Sequence, residues 1–256
     1  MLGATDSSAL AGCYVISLRP VGAHAGLRRA AARHGARVLA LAPWKLVRLD
    51  DAGSVRDLRA ALSAPRVVFT SPAAVRAAAA LRPLRPRAGQ VWLGVGAGTL
   101  AALRRCGVAS AAAPERMDSE GLLAMPQLRG VRGLTVGLVT APGGRGRIAA
   151  VLRRRGAQLL RADVYRRLPV APAPHALARL RALRAPLLLA VSSGEALERT
   201  LAALPPDLAA RLRQARVLAA SARLADLARA RGFARVAVAA DARPGSLLAA
   251  AGAPIR

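Results

Sequence analysis

The residues of this chain best suited to binding or proton chemistry gather where an apolar run gives way to a helical pattern. Residues 67 to 81 read VVFTSPAAVRAAAAL, a bare hydrophobic stretch that ends on Thr70, Ser71 and Pro72. Two readings fit this turn. Ser71 can cap the following helix by accepting from its first free backbone N–H groups, and Pro72 loses nothing at the first helical position. The same hydroxyls and amides can hold a carboxylate, because a helix start favours negative charge by roughly 0.3–1 kcal/mol. Val191-Ser192-Ser193 repeats the hydroxyls without the proline. A third turn, GVGAGTLAALRRCG over residues 94 to 107, carries Gly96 and Thr99. Its glycines alternate, no third glycine has the dinucleotide-fingerprint spacing, and no acidic residue follows about 20 positions on, so a nicotinamide cofactor is not expected. TAPGGRGR, residues 140 to 147, has the glycines of a phosphate loop but no Gly-Lys-Ser/Thr. That excludes a triphosphate loop and leaves a backbone nest for some other anion around Arg145. Tyr165, one of two tyrosines, lies beside Arg166 and Arg167. A phenol next to positive charge can donate a proton, and a strand tyrosine can equally be a packing residue with a wet hydroxyl. Asp50-Asp51 reads as a turn, and no Ser/His/Asp set or carboxylate pair stands out.

The elements that must position these residues alternate. Short apolar strands are predicted at residues 14–18, 38–41, 66–70, 91–95, 134–140, 159–164, 186–191, 216–220 and 235–239. Helical patterns fall between most of them, as at 25–34, 73–81, 99–106, 147–155, 194–203 and 222–231. Such alternation predicts parallel sheets wrapped by helices. The halves of the chain also resemble each other. Residues 14–41 align with 135–162 at an offset of 121, set by Gly35 against Gly156, and 66–75 align with 186–195 near that offset. Residues 91–108 and the EGLLA segment align with the second half at 125, set by Gly107 against Gly232. Four blocks in one order predict two copies of an α/β unit with ligand-facing turns at the carboxyl ends of the strands and a cleft between the units.

Composition narrows the function. With 256 residues, 54% of them hydrophobic, the chain can build one large core or two ordinary ones. Only 2% are aromatic, which counts against stacking on single-stranded nucleic acid. A formal charge of +27 fits a polyanionic partner. The cations, however, are all arginine except Lys45 and are scattered along helix faces, so drift in an Ala/Arg/Gly/Pro-rich composition explains them as well. Cys13 and Cys106 are isolated and His24, His34 and His175 do not cluster with carboxylates, so no metal site is expected. No apolar run is long enough to span a membrane and the opening residues lack a secretory pattern, so the expectation is a cytoplasmic protein that binds neither nucleic acid nor membrane.

Taken as a set, LRP at 18–20, FTSPAAV at 69–75, VGAGT at 95–99, SEGLL at 119–123, GGRGRIAAVLRRRGA at 143–157 and VYRR at 164–167 resemble the uroporphyrinogen-III synthase family across nearly the whole chain. The resemblance implies two flavodoxin-like α/β domains: 1–40 plus 171–256 as one, 49–162 as the other, with linker strands at 41–48 and 163–170. It implies cyclisation of hydroxymethylbilane, a linear tetrapyrrole with eight carboxylates, through a spiro intermediate that inverts the fourth ring, with no cofactor. Carried over by position, Tyr165 would help the hydroxyl leave, and Thr70, Ser71, Gly96, Thr99 and Ser192 would contact carboxylates, with Arg19 and Arg145 as further candidates. A monomer that receives its substrate from the preceding pathway enzyme is also implied. The chain departs from the family pattern at Ser221 to Leu224, at Thr140 and at Ala73. The first departure leaves a non-catalytic tetrapyrrole- or partner-binding relative as the alternative, and the charge leaves a nucleic-acid binder as a third.

Overall fold

The computed structural model describes residues 10–143 and 146–252. Along the chain run β1 (Tyr14–Ser17), α1 (Ala25–Ala32), β2 (Arg37–Ala40), β3 (Trp44–Arg48), α2 (Ala52–Ser63), β4 (Arg66–Phe69), α3 (Pro72–Leu81), β5 (Val91–Gly94), α4 (Ala97–Arg105) and α5 (Ser119–Ala124). There follow β6 (Thr135–Thr140), α6 (Arg147–Arg154), β7 (Gln158–Asp163), β8 (Tyr165–Pro169), α7 (Pro174–Ala182), β9 (Leu187–Val191), α8 (Gly194–Ala203), α9 (Pro206–Arg213), β10 (Arg216–Ala219), α10 (Ala222–Ala230), β11 (Val236–Val238) and α11 (Pro244–Ala249).

Two compact units result: Met1–Lys45 with Leu168–Arg256, and Leu46–Arg167. The first holds a parallel five-stranded sheet in the order β11-β10-β9-β1-β2. The second holds a parallel sheet in the order β5-β4-β6-β7, extended beyond β5 by a single parallel bridge between Leu93 and Ala112. Helices cover both faces of such sheets, so the central strands are apolar without alternation: every residue of β9, LLLAV, is buried. β3 and β8 pair as a separate two-stranded sheet, and the division between units falls inside both of them.

Helix starts follow from local chemistry. Ser71, Ser193 and Ser221 each sit in extended backbone and cap α3, α8 and α10 by accepting from the amide three residues on. Asp51 belongs to this group. Its sequence predicts a turn, but it caps α2, accepting from the Ser54 amide at 2.9 Å, because a carboxylate one residue before a helical run satisfies an orphan N–H. The altered segment at Ser221 therefore keeps a capped helix start. At the other ends, Gly35, Gly107, Gly156 and Gly232 all follow helices with φ between 72° and 87°, a region that only glycine enters freely.

The strand registers refine the duplication. Arg66 pairs with Val136, whereas Leu188 pairs with Val15. Val15 and Val136 correspond at 121, so Arg66 corresponds to Leu188, at 122. Thr70-Ser71-Pro72 therefore matches Ser192-Ser193-Gly194, two residues beyond the block alignment of 66–75 with 186–195 and one beyond the offset of 121, and the counterpart of the Ser71 cap is Ser193 rather than Ser192.

Candidate functional site

Within the Leu46–Arg167 unit, the ends of β4 and β6 and the start of β8 open onto a cavity of about 210 Å³. β4 delivers Thr70 and Ser71, β6 delivers Thr140, and β8 delivers Tyr165. The Thr70 hydroxyl donates to Thr140 Oγ1 at 2.8 Å. Ser71 Oγ accepts from the Ala74 amide at 3.0 Å and lies 3.2 Å from the Tyr165 hydroxyl. Tyr165 is only 5% exposed and belongs to the buried cluster that includes Phe69, Val75 and Val164, while it also lines the cavity. Since the Ser71 oxygen already accepts from the helix, its own hydrogen is free to point at the phenol oxygen. In that arrangement the phenol hydrogen faces the cavity as a donor.

The rim is positive. The described residues that line the cavity include Arg147, Arg161 and Arg167 and no carboxylate. Arg147 pairs with Glu120 at 3.0 Å, and Arg161 grips Asp163 at 2.9 Å and the Ala141 carbonyl at 3.2 Å. These contacts fix the guanidinium groups while leaving N–H donors for an anion. Pro142, Gly143 and Gly146 form the adjoining edge, with Gly146 in the left-handed region, φ 60°, at the start of α6.

The structure thus brings together Tyr165, Thr70 and Ser71. Gly96 and Thr99 lie at the start of α4 in the same unit but outside the cavity lining. Thr99 is buried against Gly94, where a Cβ on that glycine would stand 3.0 Å from the threonine's own. A Cβ on Gly96 would stand 3.1 Å from Met117, which gives both residues a packing role at this turn. Arg19 and Ser192 belong to the other unit. Arg19 donates to the Ala242 carbonyl at 3.3 Å, and burial lowers its pKa; Ser192 is exposed beside the Ser193 cap. Arg145 lies outside the described residues. The sequence reading missed Ser119, Arg147 and Arg161 as lining residues, and noted Thr140 only as a departure. Their signal was position, since Thr140 lies on β6, which pairs with β4, and Arg161 on β7, which pairs with β6, and only the strand order makes them neighbours. Also unread was the buried pair Ser17 Oγ and His24 Nδ1, 2.8 Å apart at the end of β1. Burial first, then Arg28 and Arg19, lowers the His24 pKa and keeps the ring neutral.

Among the described residues no helix is long and apolar enough to cross a membrane, and no group of three potential metal ligands occurs. The family model for uroporphyrinogen-III synthase HemD matches residues 26–249. Among solved structures, a mutant uroporphyrinogen III synthase from Thermus thermophilus superposes with a TM-score of 0.60 at 22% identity, covering 93% of this chain and 96% of that one. The uroporphyrinogen-III synthetase from Helicobacter pylori gives 0.59 at 11% identity, covering 93% and 97%. At these identities the superpositions speak for the fold, two α/β bodies with parallel sheets.

Proposed function

This chain belongs to the uroporphyrinogen-III synthase family, cofactor-free lyases of haem biosynthesis, and from that premise we propose that the cavity at the β4, β6 and β8 strand ends carries the departure of hydroxide from hydroxymethylbilane. The observation that carries the reading is the Ser71–Tyr165 contact, 3.2 Å, which places the phenol hydroxyl at the edge of an arginine-rimmed cavity whose described lining holds no carboxylate. Tyr165 donates that proton to the leaving hydroxyl, and the azafulvene cation that forms is attacked by the substituted carbon of the fourth ring. The spiro intermediate then opens and recloses with that ring inverted. The Thr70–Thr140 pair, the free amides of the first turn of α3 and the arginine rim hold carboxylates of the substrate, Ser192, Arg19 and Arg145 are read as further contacts, and the packing of Gly96 and Thr99 speaks against that role for them. Holding a flexible polyanion bent for attack at the substituted carbon is the larger part of the task. We read the protein as a monomer that takes up its substrate from the enzyme that makes it.

Purified protein incubated with enzymatically generated hydroxymethylbilane is expected to yield the type III isomer. Recovery of only the spontaneous type I product would overturn the proposal. Tyr165→Phe keeps the ring packed and removes the proton, so turnover should fall about 10²- to 10⁴-fold with little change in stability. An unchanged rate would leave Tyr165 a packing residue.

A further inference from the structure

At the amino ends of β4 and β5, remote in sequence from the strand-end turns of the proposed site, a second cavity of about 610 Å³ is lined by Arg59, Arg82, Arg85 and Arg87, with Ser63 at its edge and no carboxylate. None of these four guanidinium groups has a hydrogen bond or ion pair among the described residues. Several arginines elsewhere are spent on carboxylates, among them Arg116, Arg147, Arg161, Arg181, Arg231 and Arg243.

The corresponding corner of the other unit provides an internal control. There, at the amino ends of β9 and β10, a cavity is lined by Arg184, Arg211 and Arg235. Each of these arginines donates to backbone: Arg184 to the Arg181 carbonyl, Arg211 to that of Leu183 and Arg235 to that of Gln214. The Arg211 bond to Leu183 has its counterpart in unit Leu46–Arg167 in a bond made by Gln90, whose acceptor Leu62 stands 121 residues before Leu183. The Gln90 amide nitrogen donates to the Leu62 and Ala64 carbonyls at 2.9 and 2.8 Å, while its oxygen accepts from the Arg87 amide at 2.8 Å and from Trp92 Nε1 at 3.3 Å. One glutamine thus bonds the backbone of this corner, and none of the four arginines beside it does. Composition alone explains arginines being present; what sets this corner apart from its counterpart is that four of them line one cavity with no side-chain partner among the described residues.

The backbone that carries them is stiff. Residues 82–87 read RPLRPR, two prolines restricting the chain to extended geometry, and Leu84 is 5% exposed and anchored in the core. Three of the cations are therefore held out from a fixed segment, which lowers the ordering cost of binding.

We infer that this cavity binds a chain of adjacent phosphates. Guanidinium forks match phosphate oxygens in bidentate geometry, and four of them with no counter-carboxylate suit a ligand with several adjacent negative groups better than a single one. Inorganic polyphosphate and the phosphates of a nucleoside triphosphate share that chemistry. Trp92 is 2% exposed with its N–H already bound, so it offers no stacking face for a base.

Calorimetric titration of the full chain with tripolyphosphate at about 0.15 M salt, where long-range attraction to the net charge is screened within about 8 Å, tests this. Binding to the wild type is expected, with affinity reduced about tenfold or more in Arg85→Gln/Arg87→Gln, since each exposed ion pair contributes modestly. Both residues are exposed and without side-chain partners, so the fold does not depend on them. Arg153→Gln/Arg154→Gln, two exposed arginines on α6, removes the same charge elsewhere and should leave affinity within about twofold. ATP should bind less than about tenfold tighter than tripolyphosphate. No binding to the wild type, equal losses in both double variants, or ATP exceeding that margin would each overturn the assignment.

Discussion

Replacing Ser71 by alanine separates the two contacts of one hydroxyl. As a cap, Ser71 accepts the Ala74 amide at 3.0 Å, and losing such a cap costs about 1 kcal/mol. In a chain of this size that lowers Tm by about 2–4 °C. Asp51 caps α2 by accepting the Ser54 amide at 2.9 Å on exposed surface, so Asp51→Ala provides a matched stability loss without a neighbouring phenol. The other contact of Ser71 is Tyr165, 3.2 Å away. A neutral hydrogen bond of that kind contributes about 0.5–1.5 kcal/mol net, and if it orients the donor during chemistry its loss slows turnover about 2- to 10-fold. Both variants should be folded at 25 °C with similarly lowered Tm. Only Ser71→Ala should slow formation of the type III isomer, measured as an initial rate against the spontaneous type I background. A wild-type kcat in Ser71→Ala would refute the orienting role and leave Ser71 a cap. An equal slowing in Asp51→Ala would show that the rate follows stability alone.

Thr140→Val removes the acceptor of the Thr70 hydroxyl at 2.8 Å while keeping the side-chain shape; KM should rise about 2- to 10-fold with kcat changed less, read from steady-state kinetics. Gly137→Ala should destabilise strongly, because its Cβ would stand 1.9 Å from the Ala61 carbonyl oxygen of α2, a backbone atom that cannot swing aside. A loss of about 3 kcal/mol, the upper end for overpacking, is expected as a lowered urea midpoint, and a midpoint shift below a third of that would show that α2 rides freely on β6. Asp241 is held at a pKa of about 2, chiefly by the Arg243 side chain, whose Nε donates at 2.8 Å. A depressed carboxylate stabilises the fold above its unfolded pKa, so the advantage of the wild type over Asp241→Asn should be constant at neutral pH and fade as pH falls from about 4 to about 2. A stability difference that does not change with pH would exclude the pair as its source.

Much of the fold was legible because local signals and topology agreed. Bare apolar runs became parallel strands buried on both faces, and the glycines that set the repeat, Gly35 with Gly156 and Gly107 with Gly232, turned out to end helices at positive φ. Less legible was whatever depended on neighbours across the sheet. Nothing near Thr70 in sequence announces Thr140, because the β4-β6 pairing that joins them spans some 70 residues. Asp51 reads as a turn because a cap and a turn share composition, and they differ only in whether a helix follows. The alignment of Ser71 with Ser192 failed by one residue for a related reason: two adjacent serines satisfy either register in sequence, and only the hydrogen-bonded ladder chooses between them.

The corrected register also shows how two copies of one unit came to differ in chemistry. The β3–β8 ribbon fixes the correspondence independently: Leu49 donates to the Val164 carbonyl, and Val170 donates to that of Pro43, the same bond displaced by 121 at both ends. Under that offset Tyr165 corresponds to Trp44 and Thr140 to Arg19. One corner therefore holds Thr70, Ser71, Thr140 and Tyr165, and its counterpart holds Ser192, Ser193, Arg19 and Trp44. Capping serines persist in both, because each still starts a helix. The residue the proposal uses as proton donor does not: an indole N–H is a far weaker acid than a phenol, so only the first corner offers such a group. A linear substrate has a leaving group at one end only, so a single acidic corner suffices. The other copy holds an arginine where this one holds a threonine, and a buried indole where this one holds a phenol. On the proposed reading it is Tyr165, rather than the serines shared by both copies, that distinguishes the two corners.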